Sequence, residues 1–310
     1  MTTRSVRGRG RRRRSPGHVG LGTALMWLAP ALVLIIGVVA LPAVLLVDAS
    51  LANFSITGLR RGSAGLANYV AVLNHPMLPT VLLNTVVWVV AVVAITIVFS
   101  LAIAQLASKD FLGRRVLRTA LILPWAASLV ITAQVFVLIY DYNYGLLNPF
   151  LQTLGLIAGP VDWLGDDAVV RWSFILVGVF VSIPFTTFVF IAGLSAIPDD
   201  VYEAARIDGA SPWRAYRSIT LPLLRPALLI ATVLNTIYVF NSFPIIYTLN
   251  DRNPGYTHDT TITFMYKLAF KSQEKDVGMS AAAGILNVLL ILVVVAIYLK
   301  IVDPRKEADA

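Results

Sequence analysis

Six stretches of this chain stay apolar for at least twenty residues and contain no acidic side chain. They run over 24–47, 81–107, 116–140, 171–196, 220–247 and 279–300. About 20 apolar residues in a helix cross the roughly 30 Å hydrocarbon layer of a bilayer. In lipid every backbone N–H and C=O must find a partner within its own segment, which selects helix. A transmembrane β-barrel would show short segments of alternating polarity, and these runs are continuous. The composition agrees: 57% of residues are hydrophobic and 14% charged, against about a quarter charged in soluble domains. The expectation is an all-α integral membrane protein with six transmembrane helices. The first run follows a basic tail as a secretory signal would, but it is too long and lacks a small-residue cleavage site, so it reads as an uncleaved span.

The formal net charge of +8 is mostly local. Residues 1–19 hold seven arginines and no acid, a composition that suits a disordered tail. A basic tail before a span sets orientation or touches anionic lipid, and nucleic acid is not an expected partner. The transmembrane domain is placed at 20–302 and a second tail at 303–310. Lys109, Arg114, Arg115 and Arg118 follow the second span, and Arg206, Arg214 and Arg217 follow the fourth. The 141–170 loop has Asp141, Asp162, Asp166 and Asp167 and no Lys or Arg; the 48–80 loop has Arg60 and Arg61. The positive-inside rule therefore puts both termini, 108–115 and 197–219 in the cytoplasm. The 248–278 loop, with Arg252, Lys267, Lys271 and Lys275 against four acids, is then outside. Within it Ile262, Met265, Leu268 and Ala269 recur at helical spacing. That pattern fits a short helix in the membrane interface or a docking surface for an external partner.

The spans lack ionisable groups in their depths, which argues against ion-coupled transport and against an integral membrane enzyme. Arg118 and Arg225 sit near span ends, where long side chains can snorkel. The three histidines, His18, His75 and His258, lie outside the spans. The chain has no cysteine, no HExxH and no GxxxxGK[ST] phosphate loop. No metal site is expected, and no cofactor in this chain; nucleotide energy would come from another subunit. What the spans do carry is neutral: Thr132 and Gln134 in the third, Ser182, Thr186 and Thr187 beside Pro184 in the fourth, and Asn235, Thr236, Tyr238, Asn241 and Ser242 before Pro244 in the fifth. Such groups can bond helix to helix. Asn235, Tyr238 and Asn241 recur every third residue on roughly one face, a denser group than that role needs. Neutral donors beside aromatic rings suit an uncharged, hydroxyl-rich solute.

Residues 197–226, IPDDVYEAARIDGASPWRAYRSITLPLLRP, read as two short helices joined by a tight turn. Asp200 and Glu203 have capping-box spacing. Val201, Ala204 and Ala205 are expected on one thin face. Gly209 suits a left-handed helix stop, and Ser211-Pro212 suits an N-cap followed by the first helical position. Trp213, Tyr216 and Arg217 give the second helix an amphipathic face.

This stretch resembles the EAA loop of ABC importer permeases. Glu203, Ala204, Ala205, Asp208, Gly209, Ala210, Ile219, Leu221, Pro222 and Pro226 match the pattern, with Trp213 where an aromatic is common. Pro30 and Pro42, "GLANY" at 65–69, "NT" at 84–85, Pro124, "GLLN" at 145–148 and the 278–282 stretch resemble the maltose-permease branch. The resemblance covers roughly 24–300. The large periplasmic insertion of the enterobacterial maltose permease is absent from the 48–80 loop. The resemblance implies a type I ABC importer permease fold and a permease for a carbohydrate, a neutral mono- or oligosaccharide. Glycerol-3-phosphate or another polyol is the alternative substrate class. It implies a second homologous permease, two ATP-binding subunits that bind ATP and Mg, and an extracytoplasmic solute-binding protein. Glu203, Ala204, Ala205, Asp208, Gly209, Ala210 and Trp213 would couple to the ATPase. Ser182, Asn235, Tyr238, Asn241 and Ser242 would line the substrate pathway of a multi-pass bacterial cell-membrane protein.

Overall fold

A computed structural model describes residues 21–251, 253, 255–272 and 275–301. The arginine tail, Arg252 and the 303–310 tail lie outside the described residues. The first apolar run is one helix from Gly22 to Ser50, built from α1 (Leu21–Leu34), a π-helical stretch (Ile35–Ala40) and α2 (Leu41–Ser50). Of the described residues, those up to Asp48 form one unit and those from Ala49 another.

The remainder begins with a small hairpin, β1 (Ala52–Phe54) antiparallel to β2 (Arg60–Ser63), which hydropathy did not predict. The short helix α3 (Ala67–Leu73) follows. Asn68 Nδ2 donates to Ser50 O and Ala52 O, each at 2.9 Å. That accounts structurally for the asparagine of "GLANY".

The bundle core pairs α4 (Leu78–Ser108) with α8 (Val170–Ser195). A Cβ on Gly178 of α8 would come within 2.5 Å of the Trp88 ring, so glycine is what lets these helices close. Trp88 Nε1 in turn donates to Val239 O at 2.9 Å in α12 (Arg225–Phe240). Gly193, packed against Ala227, closes α8 on α12. Small residues at such crossings let backbones approach where no hydrophobic force separates helix from lipid.

Two expected spans differ from the prediction. The run at 116–140 is two helices, α5 (Arg114–Ala126) and α6 (Leu129–Ile139), bent by 99° at Ala127–Ser128. Both linking residues are extended, with ψ of 146° and 138°. Pro124 removes one backbone donor just before the break, and Ser128 takes the N-cap position of α6. The run at 220–247 is also broken. A helix covering Pro212–Leu223 meets α12 at 62°, and α12 stops at Phe240. After Asn241 and Ser242 a separate helix, α13 (Phe243–Leu249), begins with proline in its first turn. Among the described residues, four helices are therefore long and apolar enough to cross a membrane, or up to six if each bent pair counts as one span.

A short helix, α7 (Leu147–Thr153), lies between α6 and α8. Asn148, the last residue of "GLLN", bridges Val161 and Trp163 there. The helix expected near 262–269 is α14 (Thr261–Phe270). It packs on α15 (Val277–Ile301) and α4, burying Phe264 and Leu268. The "NT" pair anchors the loop before it. Asn84 Nδ2 donates to Thr257 O at 2.7 Å, and Thr261 N donates to Thr85 Oγ1 at 2.9 Å. Asp259 is fully buried beneath this loop. It meets Lys267 Nζ at 2.9 Å and accepts from Asn250 Nδ2 and Thr263 Oγ1. Burial raises its pKa, opposed by the hydrogen bond and charge of Lys267.

Candidate functional site: a two-helix elbow and a neutral cavity

Most of the residues singled out in sequence fall into two places. One is an elbow at the end of the bundle where α4 finishes; the other is a cavity within the bundle.

The elbow starts with α9 (Asp199–Ile207). Its N-cap is Pro198 with no side-chain cap bond, so the expected Asp200–Glu203 capping box is absent. Asp199 and Asp200 instead sit in the first turn, where the helix dipole favours negative charge. The C-terminus forms a Schellman stop. Ala210 N bonds Ala205 O at 2.9 Å and Gly209 N bonds Arg206 O at 3.1 Å, with Gly209 at φ +73°. Asp208 is the C-cap. Ser211 then caps α10 (Pro212–Ala215), its Oγ accepting from Arg214 N at 3.3 Å, with Pro212 in first position. A π-helical turn over Tyr216–Thr220 and the short α11 (Leu221–Leu223) lead into α12.

A side-chain contact links the two arms of the elbow, and a ring pair lies along the second arm. Tyr202 Oη and Thr220 Oγ1 are 3.1 Å apart, and the Trp213 and Tyr216 rings lie 5.7 Å apart. Arg118 donates to Ala107 O at the end of α4. Ala205 is buried toward the spans, whereas Ala204 is exposed beside Glu203. The expected shared alanine face therefore splits: Ala205 and half-buried Val201 face inward, and Ala204 faces outward. The outward surface includes Ile207 at 87% exposure and Trp213 at 69%. Exposed apolar side chains beside a carboxylate suit a protein partner. A groove of about 1140 Å³ runs beneath the elbow, between Ser108 of α4, Ser195 of α8 and Tyr202, Trp213 and Thr220.

The cavity holds about 260 Å³ and is lined by Ser182, Asn235 and Tyr238 with Trp125, Phe185 and neighbouring aliphatics. Among the described residues lining it, none is charged. Ser182 Oγ and Asn235 Nδ2 are buried and have no hydrogen-bond partner among the described residues. Buried donors without partners cost about 1–3 kcal/mol each, so they mark where a solute or water would bond. Asn241 and Ser242 are not in the lining. Asn241 caps α12 and its Nδ2 turns back to Ile237 O at 2.8 Å. Ser242 is buried in the break before α13, its Oγ also without a partner among the described residues. The three-residue spacing thus places Asn235 and Tyr238 together, but the helix ends before Asn241 can join them. Trp125 was missed in sequence. It enters the lining one residue after Pro124, next to the bend that a hydropathy window cannot see.

Known proteins share this architecture. A probable ABC transporter permease protein of Brucella suis is 40% identical over 274 residues, covering 88% of this chain and 94% of its own. The trehalose/maltose transport system permease protein MalF of Thermococcus litoralis is 37% identical, covering 78% and 81%. A crystal structure of a bacterial alginate ABC transporter, in complex with an alginate pentasaccharide-bound periplasmic protein, contains a chain with TM-score 0.77 at 22% identity, covering 90% and 93%. That last likeness carries the fold. Residues 96–308 match the family of binding-protein-dependent transport system inner membrane components. The broken apolar helices, the elbow and these relatives converge: the chain belongs to that family and is a multi-pass membrane permease component of an ABC transporter.

Proposed function

We propose that this chain is the permease subunit of an ATP-driven importer for a neutral mono- or oligosaccharide. The observation that carries the substrate class is the uncharged cavity of Ser182, Asn235 and Tyr238, with aromatic walls and two buried polar groups without partners. Aromatic and aliphatic walls with a few convergent polar groups are the usual make-up of a small-molecule site. A phosphate-bearing solute would call for a cation there. The MalF relative, named for trehalose and maltose, supports the same class.

In this reading each bent pair is one span, six spans cross the bilayer, and both termini lie in the cytoplasm with the elbow. A second, homologous permease completes the pathway. Two ATPase subunits bind ATP and Mg beneath the elbow, and an extracytoplasmic binding protein delivers the sugar. Glu203, Ala204 and Ile207 meet the ATPase, with Asp208, Gly209 and Ala210 setting the turn and Trp213 bracing the second helix. The Schellman stop, the Ser211 cap and the Tyr202–Thr220 bond make the elbow stiff. Motion of the ATPases then passes to α8 and α12, which carry the cavity, as a rigid-body displacement.

The test is uptake of labelled maltose and trehalose, with a panel of neutral sugars as competitors, by cells lacking and then regaining this chain. Uptake lost on deletion, restored by the wild type and not by Asn235→Leu, is the expected result. Unchanged uptake of every sugar on deletion refutes the reading.

A further inference from the structure

A second cluster suited to a sugar lies at the opposite end of the bundle from the elbow, and the cavity above does not include it. Tyr247 of α13 stacks on Phe243, with ring centroids 4.9 Å apart and planes 19° apart. Tyr266 of α14 closes on both, at 4.9 Å from Phe243 and 5.0 Å from Tyr247. Phe270 extends the row at 4.9 Å from Tyr266 and is 63% exposed. Two adjoining cavities of about 310 and 180 Å³ open beside the row. Both are lined by Tyr247, Asp251 and Lys271. Gln134 of α6, an exposed amide, lines the larger one.

The bland account of such an aromatic row is a membrane-interface belt. Its polar companions argue otherwise. A belt needs a ring and a water-facing tip; it does not need a carboxylate, an ammonium and a carboxamide converging on one cavity. Lys271 Nζ lies 4.0 Å from Asp251 Oδ1 and 5.8 Å from the Tyr247 ring centroid. At 4.0 Å the ion pair is loose, and a side-chain hydrogen bond between Lys271 and Tyr247 holds the ammonium beside the ring. The larger cavity reaches the roughly 300 Å³ at which ligand sites begin. A pyranose offers one apolar face of C–H groups and a rim of hydroxyls. The Tyr247 ring, the one member of the row in the lining of these two cavities, matches the face, and mixed donors and acceptors match the rim.

We propose that Tyr247, Gln134, Asp251 and Lys271 form a second carbohydrate subsite, a receiving station that holds one sugar ring before it moves to the Asn235 cavity. Tyr238 of the inner cavity and Tyr247 of the outer one flank the break between α12 and α13. This proposal rests on the carbohydrate reading above.

The test uses the assembled transporter in lipid nanodiscs without its binding protein. Saturation-transfer NMR would be recorded with maltose, trehalose and glucuronate as probes, alongside uptake of labelled maltose and trehalose by cells that carry the complete transporter with its binding protein. The variants are Tyr247→Ala, Tyr247→Phe, Lys271→Ala and Asn235→Leu. Lys271 is more than half exposed, so Lys271→Ala reads the site without unfolding risk. Expected are at least a fivefold weakening by Tyr247→Ala and Lys271→Ala, near-normal binding by Tyr247→Phe, and a saturation-transfer signal that survives Asn235→Leu although uptake does not. Wild-type binding left unchanged by both alanine variants overturns the second subsite and leaves the carbohydrate reading standing. Neither binding nor uptake of any probe by the wild type overturns both together.

Discussion

Lys267→Met removes the cation facing the buried Asp259 carboxylate and leaves the surrounding shape almost intact. In the wild type Lys267 Nζ meets Asp259 at 2.9 Å and also donates to Asn253 O at 3.1 Å and Gly255 O at 2.7 Å. Asp259 would keep Asn250 and Thr263 as donors, but its charge would stand uncompensated. Breaking a buried pair from one side costs about 3–5 kcal/mol. At 1.4 kcal/mol per tenfold, that is roughly a hundred- to several-thousand-fold loss of amide-exchange protection across the loop and α14, if they open as one unit. The double variant Lys267→Met/Asp259→Asn removes the stranded charge and leaves two lost bonds to carbonyls, worth about 1 kcal/mol each. Its protection should sit only about thirtyfold below wild type. The pH dependence has a definite sign. Burial raises the folded-state pKa of Asp259, and deleting Lys267 removes two influences that lower it. The native state then holds a proton that the unfolded state releases above about pH 4. Stability of the single variant must therefore fall as pH rises from there toward the folded pKa, and its deficit should be smaller at pH 5 than at pH 8. Hydrogen exchange on the assembled transporter reads all of this. Wild-type protection in the single variant, or a double variant no better than the single, would refute the ion pair as what holds this loop.

Three further perturbations address the elbow and the cavity. Glu203→Lys should leave membrane insertion and permease pairing intact while abolishing sugar-stimulated ATP hydrolysis, measured in proteoliposomes; unchanged stimulation removes Glu203 from the coupling surface. Gly209→Val places a β-branched residue at φ +73°, costing about 1–2 kcal/mol or more, and should loosen the elbow, seen as faster exchange over 203–213 and reduced coupling. Asn235→Leu should weaken uptake at least tenfold with normal assembly, and normal uptake kinetics would show that its buried amide is not used.

The sequence was most legible where structure is local. Gly209, Ser211 and Pro212 specify a stop and a start within four residues, and each is found in that role. The apolar runs also mark helices well, because the cost of unpaired backbone in lipid acts on every residue of a run. Direction is different. A hydropathy window sums over residues and carries no record of a bend, so 116–140 and 220–247 read as straight spans. Pro124 was visible, but proline is tolerated inside membrane helices when neighbours satisfy the freed groups, and its presence alone does not decide between a kink and a break. The Asp259–Lys267 pair was hidden for another reason: spacing within a loop says nothing about burial, and both groups counted only as charges outside the spans.

The breaks that sequence missed are the features on which the cavity depends. A straight helix from 114 to 139 would carry Trp125 past Ser182 on one continuous face. The 99° turn ends α5 just beyond Trp125 and brings that ring to the wall holding Ser182 and Asn235. Likewise, an unbroken helix through 247 would align Tyr238 and Asn241 on one face and continue the apolar packing of α12. Stopping at Phe240 lets Asn241 cap the helix, leaves Ser242 buried in the break, and starts α13 in a new direction. Non-helical backbone at membrane depth is tolerated where it is buried in protein or lines a cavity. Under the proposed function the two breaks, one beside Trp125 and one just beyond Tyr238, would tie solute binding to the junctions between helices.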